Sequence, residues 1–173
     1  KALDIGCSTA LGLSLFKELN WNVLGVDPSD KCIEISKEKY GVKVLKGFFD
    51  IPLLKEEGPF DLVILCHVLE HLENLERVMG ELHRIGVDGA RVVITTPHFT
   101  CVHSYTDISH RYHFSLNSFQ CFYRNTKACF YLKKKRLKFR TLHRLMGLEL
   151  LFNMFPGVYE KYWLYLFPAK EIQ

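Results

Sequence analysis

Short apolar segments and amphipathic stretches alternate through the first hundred residues of this chain. The apolar segments predict strands at Ala2–Ile5, Asn22–Val26, Val42–Leu45, Asp61–Cys66 and Arg91–Thr95. The stretches between them predict helices at Leu11–Leu19, Asp30–Tyr40 and Asn74–Ile85. Strands that are separated by helices form parallel sheets with helices on both faces. We therefore expect an α/β fold built on a doubly wound, mostly parallel sheet.

The second half of the chain departs from this alternation. Gly86 ends the third helix, and Asp88-Gly89 favours a turn before the fifth strand. The later segments predict a histidine-rich loop to about Phe114, a short helix near Leu116–Tyr123, a basic strand over Tyr131–Phe139 and a mostly helical aromatic tail over Leu142–Phe167. Because Lys1 opens directly into a strand and Glu171–Gln173 has the character of a strand start, we expect the chain to be truncated at both ends.

The composition is that of one globular domain. The chain has 173 residues, of which 48% are hydrophobic and 24% charged, so it can bury a sizeable core. No apolar run in the sequence is long enough to span a bilayer. The six cysteines include no CxxC pair. We interpret them as reduced thiols of a cytoplasmic protein and expect no zinc site built on them.

Charge is distributed unevenly between the two halves. Residues 1–86 carry ten basic and fourteen acidic side chains, a net charge of −4, whereas residues 87–173 carry thirteen and five, a net charge of +8. The second half therefore favours an anionic partner or surface, or simply presents a solvated basic face.

Gly6 and Asp27 stand where the first two predicted strands end. Gly6 lets the backbone turn sharply and approach a ligand. Asp27 lies 21 residues later, at the position from which an acid accepts hydrogen bonds from ribose hydroxyls. The GxGxxG spacing that binds the pyrophosphate of NAD is missing. S-adenosylmethionine (AdoMet) fits better, because it lacks phosphate and its ammonium group can face Asp4, while loop N–H groups face its carboxylate.

Three segments, LDIGCSTALG, GVDPS and LCHVLEHL, occur in this order and spacing. They resemble class I AdoMet-dependent methyltransferases, in particular the small-molecule branch related to the ubiquinone-biosynthesis methyltransferases. The resemblance is clear over residues 1–100 and weaker to about 120. It implies a seven-stranded, Rossmann-like sheet in a three-layer α/β/α fold. It also implies a single methyltransferase domain over residues 1–173, with an AdoMet-binding half (1–100) and a substrate-side half (101–173).

The resemblance also implies the residues that contact the cofactor. They are Asp4, Gly6, Cys7, Ser8, Asp27, Pro28, Phe48, Phe49, Cys66 and His67. Phe48 or Phe49 stacks on the adenine ring, or both are core aromatics. Cys66 and His67 border the methionine end of the cofactor. The family's loop usually has further glycines where Ser8 and Ala10 stand, so we expect binding with altered affinity.

His67, Glu70 and His71 form a group of potential metal ligands on one short segment. Some related methyltransferases hold a divalent ion with Glu-x-x-Glu-His at this place. Here His67 replaces the first glutamate, which argues against Mg²⁺, since that ion prefers oxygen ligands. A softer ion would suit the set better. We favour hydrogen bonds from Glu70 and His71 to neighbouring loops, and we expect no metal.

The loop after the fifth strand contains the candidate catalytic residues. A Pro-His step at His98 and the stretch from Asp107 to Ser115 resemble methyltransferases of glycan and lipid-linked sugar pathways. An oxygen nucleophile must lose its proton, and histidine titrates in a suitable range. We predict His98 and His110 as bases, with Asp107 as an orienting partner. Alternatively, Asp107, His110 and Arg111 stabilise the loop itself, or Arg111 binds an acidic substrate group.

The last third of the chain adds two features. Six of the eight residues in Lys133–Arg140 are cationic, which indicates phosphate binding or, more commonly, protection of an exposed strand edge. The aromatic tail either packs in the core, lines an acceptor pocket or contacts a membrane surface. We expect transfer of a methyl group to a small-molecule acceptor, favouring an oxygen of a metabolite, glycan or lipid-linked intermediate. The alternatives are a non-catalytic AdoMet-binding subunit and a nucleic-acid methyltransferase; the latter is disfavoured because no Asn-Pro-Pro-aromatic motif follows the fourth strand.

Overall fold

The computed structural model describes residues 1–49, 51–120, 130–163 and 169–173. Its strands are β1 (Ala2–Ile5), β2 (Val23–Asp27), β3 (Val44–Lys46), β4 (Phe60–Cys66), β5 (Gly86–Pro97), β6 (Leu137–Lys138) and β7 (Glu171–Ile172). Its helices are α1 (Leu11–Glu18), α2 (Asp30–Tyr40), α3 (Ile51–Glu57), α4 (Leu75–Ile85), α5 (His103–Thr106), α6 (Thr141–Leu145) and α7 (Leu148–Met154). Single helical turns occupy Leu69–His71, Pro156–Val158 and Tyr159–Trp163.

The strands form a seven-stranded sheet in the order β3-β2-β1-β4-β5-β7-β6. β1 pairs in parallel with both β2 and β4, and β2 pairs in parallel with β3. β7 runs antiparallel to β5 and to β6. This arrangement confirms the predicted doubly wound, mostly parallel, Rossmann-like sheet.

The chain divides into two compact units. The first comprises residues 1–68 and 80–93, and part of its core is a buried cluster formed by the chain that leaves β1 and by one residue between α2 and β3. The cluster consists of Cys7, Ala10, Leu13 and Val42. The second unit comprises residues 69–79 and 94–173. Its core includes Phe139, whose ring centroid lies 5.4 Å from that of Phe152 and 5.3 Å from that of Tyr159.

Local capping chemistry sets both ends of α2. Ser29 Oγ accepts a hydrogen bond from the Cys32 N–H at 3.4 Å and so satisfies one of the unpaired donors of the first turn. Gly41 ends the helix with a left-handed φ of +58°, a conformation that glycine adopts without steric cost. Because Ser29 follows β2 by two residues, this cap also determines how the chain leaves that strand.

The structure differs from the sequence-based expectation at several elements, among them β5, the basic strand and α3. β5 begins at Gly86, whereas the predicted strand began at Arg91, because Gly89 accommodates its φ of +76° within an extended stretch. The basic strand predicted over Tyr131–Phe139 is a strand only at Leu137–Lys138, since its partner β7 is just two residues long. α3 was not predicted.

Two further expectations are met only in part by what the structure describes. The short helix expected near Leu116–Tyr123 extends into residues 121–129, which lie outside the described residues. Within the described part of the aromatic tail, α6, α7 and two helical turns confirm a mostly helical segment. No helix among the described residues is long and apolar enough to cross a bilayer.

Candidate functional site

The ends of β1 and β2 lie side by side, because the two strands are parallel and Ile5 is in register with Val26. The loop that follows β1 is tied to β2 by its backbone. The N–H groups of Gly6 and Cys7 both donate to the Val26 carbonyl oxygen, at 2.8 and 3.1 Å. Gly6, directly after β1, and Asp27, the last residue of β2, therefore meet at one edge of the sheet, where open α/β sheets bind ligands.

Asp27 is buried, and its carboxylate is held by two backbone N–H groups. Ser8 N–H donates to Oδ2 at 2.8 Å, and Ser29 N–H donates to Oδ1 at 2.9 Å. Each carboxylate oxygen has two lone pairs, so both oxygens retain acceptor capacity. The result is an oriented hydrogen-bond acceptor.

Asp4 lies on β1 and lacks a hydrogen-bond partner at one oxygen. Its Oδ1 is buried and contacts no donor among the residues that the structure describes. Burial raises the pKa of Asp4 to about 7, and the negative charge of Asp27 acts in the same direction. A cationic group placed at Oδ1 would supply both the absent donor and a compensating charge.

The loop between β1 and α1 has left-handed backbone at three positions. Gly6 has φ +72°, Ser8 has φ +51° and Ala10 has φ +57°. A Cβ at Gly6 would lie 2.4 Å from Cγ2 of Val68, so glycine is required there. Ser8 and Ala10 stand where the family resemblance leads us to expect glycine. An L-residue in this conformation costs roughly 1–2 kcal/mol.

We expect Ser8→Gly to raise the free energy of unfolding by about 1 kcal/mol, because glycine adopts the required φ without steric cost. Chemical denaturation of the intact protein measures the change. Thr9→Gly is the matched control, since Thr9 is in the same loop but outside the left-handed region; it should destabilise the protein. A Ser8→Gly variant that is no more stable than wild type would contradict the argument.

The remaining predicted cofactor residues of the first unit differ in accessibility. Cys7 is buried, and burial together with Asp4 and Asp27 raises the pKa of its thiol to about 12, so it is a neutral packing residue. Phe48 is 74% exposed, whereas Phe49 is partly buried, so Phe48 offers the freer ring face. The other three are exposed: Pro28, Cys66 and His67.

Backbone pairing brings the predicted cofactor residues that follow β3 and β4 to the same sheet edge as Gly6 and Asp27. Lys46, at the end of β3, is in register with Asp27, and Gly47 N–H donates to the Asp27 carbonyl oxygen at 3.2 Å. Phe48 follows directly. On the other side of β1, Ile5 is in register with Leu65, the residue before Cys66. All ten predicted contacts therefore follow or lie within four neighbouring strands of the first unit.

His98, in the second unit, is completely buried in a polar network. Its Nδ1 lies 2.7 Å from Thr100 Oγ1 and its Nε2 lies 3.4 Å from Glu160 Oε1. Glu160 also accepts hydrogen bonds from Leu116 N–H at 2.5 Å and from Asn117 Nδ2 at 2.8 Å. Glu160 was missed by sequence reasoning. Its only signal is that acidic side chains are few in residues 87–173.

His110 is partly buried, and its tautomer follows from its contacts. Nδ1 lies 3.1 Å from the carbonyl oxygen of Ser104, which only accepts, so Nδ1 carries the proton and Nε2 is the basic nitrogen. Nε2 lies 3.9 Å from Asp107 Oδ2, an ion-pair distance rather than a hydrogen bond. Hydrogen bonds from the hydroxyl and backbone N–H of Ser109 lower the pKa of Asp107, and His110 and His71 lower it further.

Glu70 and His71 form hydrogen bonds with other segments of the second unit. The Glu70 side chain is 1% exposed, and its Oε2 accepts a hydrogen bond from Thr96 Oγ1 at 3.1 Å. His71 Nδ1 lies 3.0 Å from Ser109 Oγ. The Arg111 guanidinium pairs with Glu73 at 2.8 Å. Arg111 thus has an intramolecular carboxylate partner.

The comparisons with known proteins all point to the same family. A family model described as a methyltransferase domain matches residues 1–150. A ubiquinone biosynthesis O-methyltransferase of Pelagibacter ubique is 28% identical over 88 residues, which are 49% of this chain and 37% of that protein. An uncharacterized methyltransferase of Staphylococcus carnosus is 28% identical over 100 residues, 56% of this chain and 47% of its own. The chain thus spans less than half the length of these relatives.

Solved structures agree on the fold. A SAM-dependent methyltransferase from Archaeoglobus fulgidus superposes with a TM-score of 0.70 at 21% identity, covering 99% of this chain and 82% of that one. One from Mesorhizobium loti superposes with a TM-score of 0.69 at 15% identity, covering 99% and 88%. Because the family model matches most of its residues, the chain belongs to the methyltransferase domain family, and its cofactor is S-adenosylmethionine.

Proposed function

We propose that the protein transfers a methyl group from AdoMet to an oxygen atom of a small-molecule acceptor. The observation that carries the proposal is a pair of acids beside the loop at the ends of β1 and β2: the buried Asp27 and the partly buried Asp4, whose Oδ1 is inaccessible to solvent. Several curated relatives are named as O-methyltransferases, which supports oxygen as the acceptor atom.

The first unit supplies the groups that bind the cofactor. The Asp27 carboxylate accepts hydrogen bonds from the ribose hydroxyls, and its two N–H contacts keep it oriented. Asp4 Oδ1, buried without a donor among the described residues, accepts from the ammonium group. Phe48 stacks on the adenine through its exposed ring. When bound, AdoMet would supply an activated methyl group, whose bond to sulfur breaks as its bond to the acceptor oxygen forms.

The second unit supplies the groups that assist proton removal from the acceptor. His110 is the favoured residue, because the Ser104 carbonyl fixes its Nε2 as the basic nitrogen. The Asp107 carboxylate lies 3.9 Å from that nitrogen. His98 has no exposed surface, so we assign it a positioning role that links Thr100 with Glu160.

We further propose that the acceptor is anionic or lipid-linked. Exposed basic residues of the second unit include Lys133, Lys134, Arg140 and Arg144. Exposed apolar side chains in the same unit include Leu145, Leu150, Leu151 and Met154. Such a mixture suits an amphiphilic molecule or a membrane surface. The four cysteines that the structure describes are reduced thiols, which supports the cytoplasm as the location.

Transfer of a labelled methyl group into lysate fractions tests the reaction and the acceptor class together. We expect label in the lipid or polar metabolite fraction and none in protein or RNA. Label in RNA would contradict a small-molecule acceptor. Binding of AdoMet by the intact protein without transfer into any fraction would indicate a non-catalytic subunit instead.

With an acceptor identified, we expect His110→Ala to reduce turnover by about 100-fold or more while AdoMet affinity stays the same. His98→Ala should lower turnover through the loss of a positioning residue. It should also reduce thermal stability, since it leaves Glu160 without its buried histidine partner. His113→Ala is the control, because His113 is exposed and contacts Ser104 and Tyr105. Unchanged turnover in both His98 and His110 variants would show that the assignment is wrong.

A further inference from the structure

Three side chains of metal-ligating type lie together in the second unit: Glu70, His71 and His110. One ligand atom of each lies within 4.8 Å of those of the other two. The rings of His71 and His110 approach to 4.7 Å between centroids at an interplanar angle of 66°. Glu70 and His71 follow β4, whereas His110 lies beyond β5, so the tertiary structure and not a contiguous motif forms the cluster.

Hydrogen bonds orient both imidazole rings in the same way. The Ser109 hydroxyl donates to Asp107 Oδ1 at 2.5 Å, so its oxygen is an acceptor for His71 Nδ1–H at 3.0 Å. His110 Nδ1–H donates to the Ser104 carbonyl oxygen at 3.1 Å. In each ring Nδ1 therefore carries the proton, and Nε2 keeps a lone pair. Such carbonyl and hydroxyl acceptors behind the rings are the pattern that fixes histidine ligands in metal sites.

The third group of the cluster is a buried carboxylate. The Glu70 side chain is 1% exposed, and Thr96 Oγ1 fixes its Oε2 by a hydrogen bond of 3.1 Å. The Glu70 carbonyl oxygen also accepts a hydrogen bond from Arg111 N–H at 2.8 Å, which ties the backbone of this turn to the loop containing His110. A cation here would place positive charge against a carboxylate that has lost most of its hydration.

We propose that Glu70, His71 and His110 bind a first-row divalent metal ion of the zinc class. Two imidazoles and one carboxylate suit Zn²⁺ or its neighbours and do not suit Mg²⁺, which prefers oxygen ligands. Zinc–ligand distances of about 2.0–2.2 Å place tetrahedral ligand atoms about 3.4 Å apart. Side-chain movements below about 1 Å would reduce the present separations between ligand atoms, which are at most 4.8 Å, to that value.

The ligand count indicates what such an ion does. Three protein ligands leave a position for water or a substrate oxygen, as in catalytic rather than structural zinc sites. A bound ion lowers the pKa of a coordinated hydroxyl. This role rests on the proposed O-methyl transfer, and it makes His110 assist proton removal through the ion instead of taking the proton itself. Metal binding by the three side chains does not depend on that reaction.

Calorimetric titration of the metal-free intact protein with ZnCl₂, in the absence of AdoMet, tests the site directly. We expect one Zn²⁺ per chain, and no heat with MgCl₂. His71→Ala, His110→Ala and Glu70→Gln should each weaken Zn²⁺ binding by about 100-fold or more. His113→Ala is the matched control and should stay within about threefold, because this histidine belongs to the same loop but not to the cluster. Ser109→Ala, which removes the acceptor for His71, should weaken binding about tenfold.

The outcomes separate the metal site from the proposed function. Failure of the wild-type protein to bind Zn²⁺, or equal losses in His113→Ala and His110→Ala, overturns the site. Zn²⁺ binding that survives in all three ligand variants overturns it as well, since another group, such as the exposed Cys66 thiol, then holds the ion. Normal AdoMet affinity and methyl transfer in a protein that does not bind zinc would leave the proposed function intact and remove only the metal.

Discussion

Asp27→Asn is expected to weaken AdoMet binding by about 100-fold or more. A hydrogen bond to a charged acceptor contributes about 1.5–3 kcal/mol, and the ribose offers two hydroxyl donors, so the loss is about 3–6 kcal/mol. The amide nitrogen of the introduced side chain would also face either Ser8 N–H or Ser29 N–H, which both donate to the native carboxylate. Two donors would then oppose each other where the loop is anchored.

Calorimetry of the intact protein with AdoMet measures the loss. Asp30→Asn is the matched control, because it removes the same charge three residues later from an exposed side chain that pairs with Lys46. We expect the control to bind AdoMet like the wild type. Circular dichroism establishes that Asp27→Asn is folded. A folded variant with wild-type affinity would exclude Asp27 from the cofactor site and contradict the proposed binding mode.

Asp4→Asn is expected to have opposite effects on stability and on binding. At pH 8 the folded wild-type protein must keep Asp4 ionised although burial and Asp27 raise its pKa to about 7. Asparagine has no charge to bury, so the variant without ligand should be more stable by up to about 4 kcal/mol. The same change removes the charge that faces the ammonium group and should weaken AdoMet binding at least about tenfold.

The raised pKa of Asp4 determines how the free energy of unfolding changes with pH. Between about pH 4 and pH 7 the folded state holds a proton on Asp4 that the unfolded state has released, so this residue's contribution to stability is lost as the pH rises. The stability gap between Asp4→Asn and wild type should therefore widen from pH 4 to pH 7 and stay constant above it. Wild-type AdoMet affinity should rise over pH 6–8, and that of the variant should not.

Urea denaturation at a series of pH values, with calorimetry at pH 6, 7 and 8, measures both effects. Asp30→Asn again serves as control, since that carboxylate is 77% exposed and should show neither trend. An Asp4→Asn protein less stable than wild type at pH 8 would mean that the partly buried carboxylate has a stabilising partner. Unchanged AdoMet affinity would remove Asp4 from the binding site.

Most of the first unit was predictable, because its structure follows from local patterns. β1 and α2 have the predicted bounds, β4 and α4 differ from them by one residue at one end, and β2 is shifted by one residue. Apolar periodicity, a serine cap and a glycine stop are read from neighbouring residues. The parallel sheet then follows from the order of elements, and with it the meeting of Gly6 and Asp27 at one edge.

The loop after β1 shows where this reasoning stops. The sequence marks Ser8 and Ala10 as departures from the family's glycines, but it contains no record of their φ angles. The structure places both in the left-handed region, with Ser8 N–H bound to Asp27. Whether a non-glycine residue changes its backbone or tolerates strain depends on contacts made 19 residues further along the chain.

The sequence by itself determined the fold class and the cofactor and predicted the segment that binds it, since these depend on periodicity and on short motifs. Only the tertiary structure decided the surroundings of the histidines. His98 meets Glu160 across 62 residues, and Ser109 meets His71 across 38. Such pairs leave no periodic signal in the sequence, because the same loop sequence is compatible with many conformations. Packing alone buried His98 and brought His110 to Glu70 and His71.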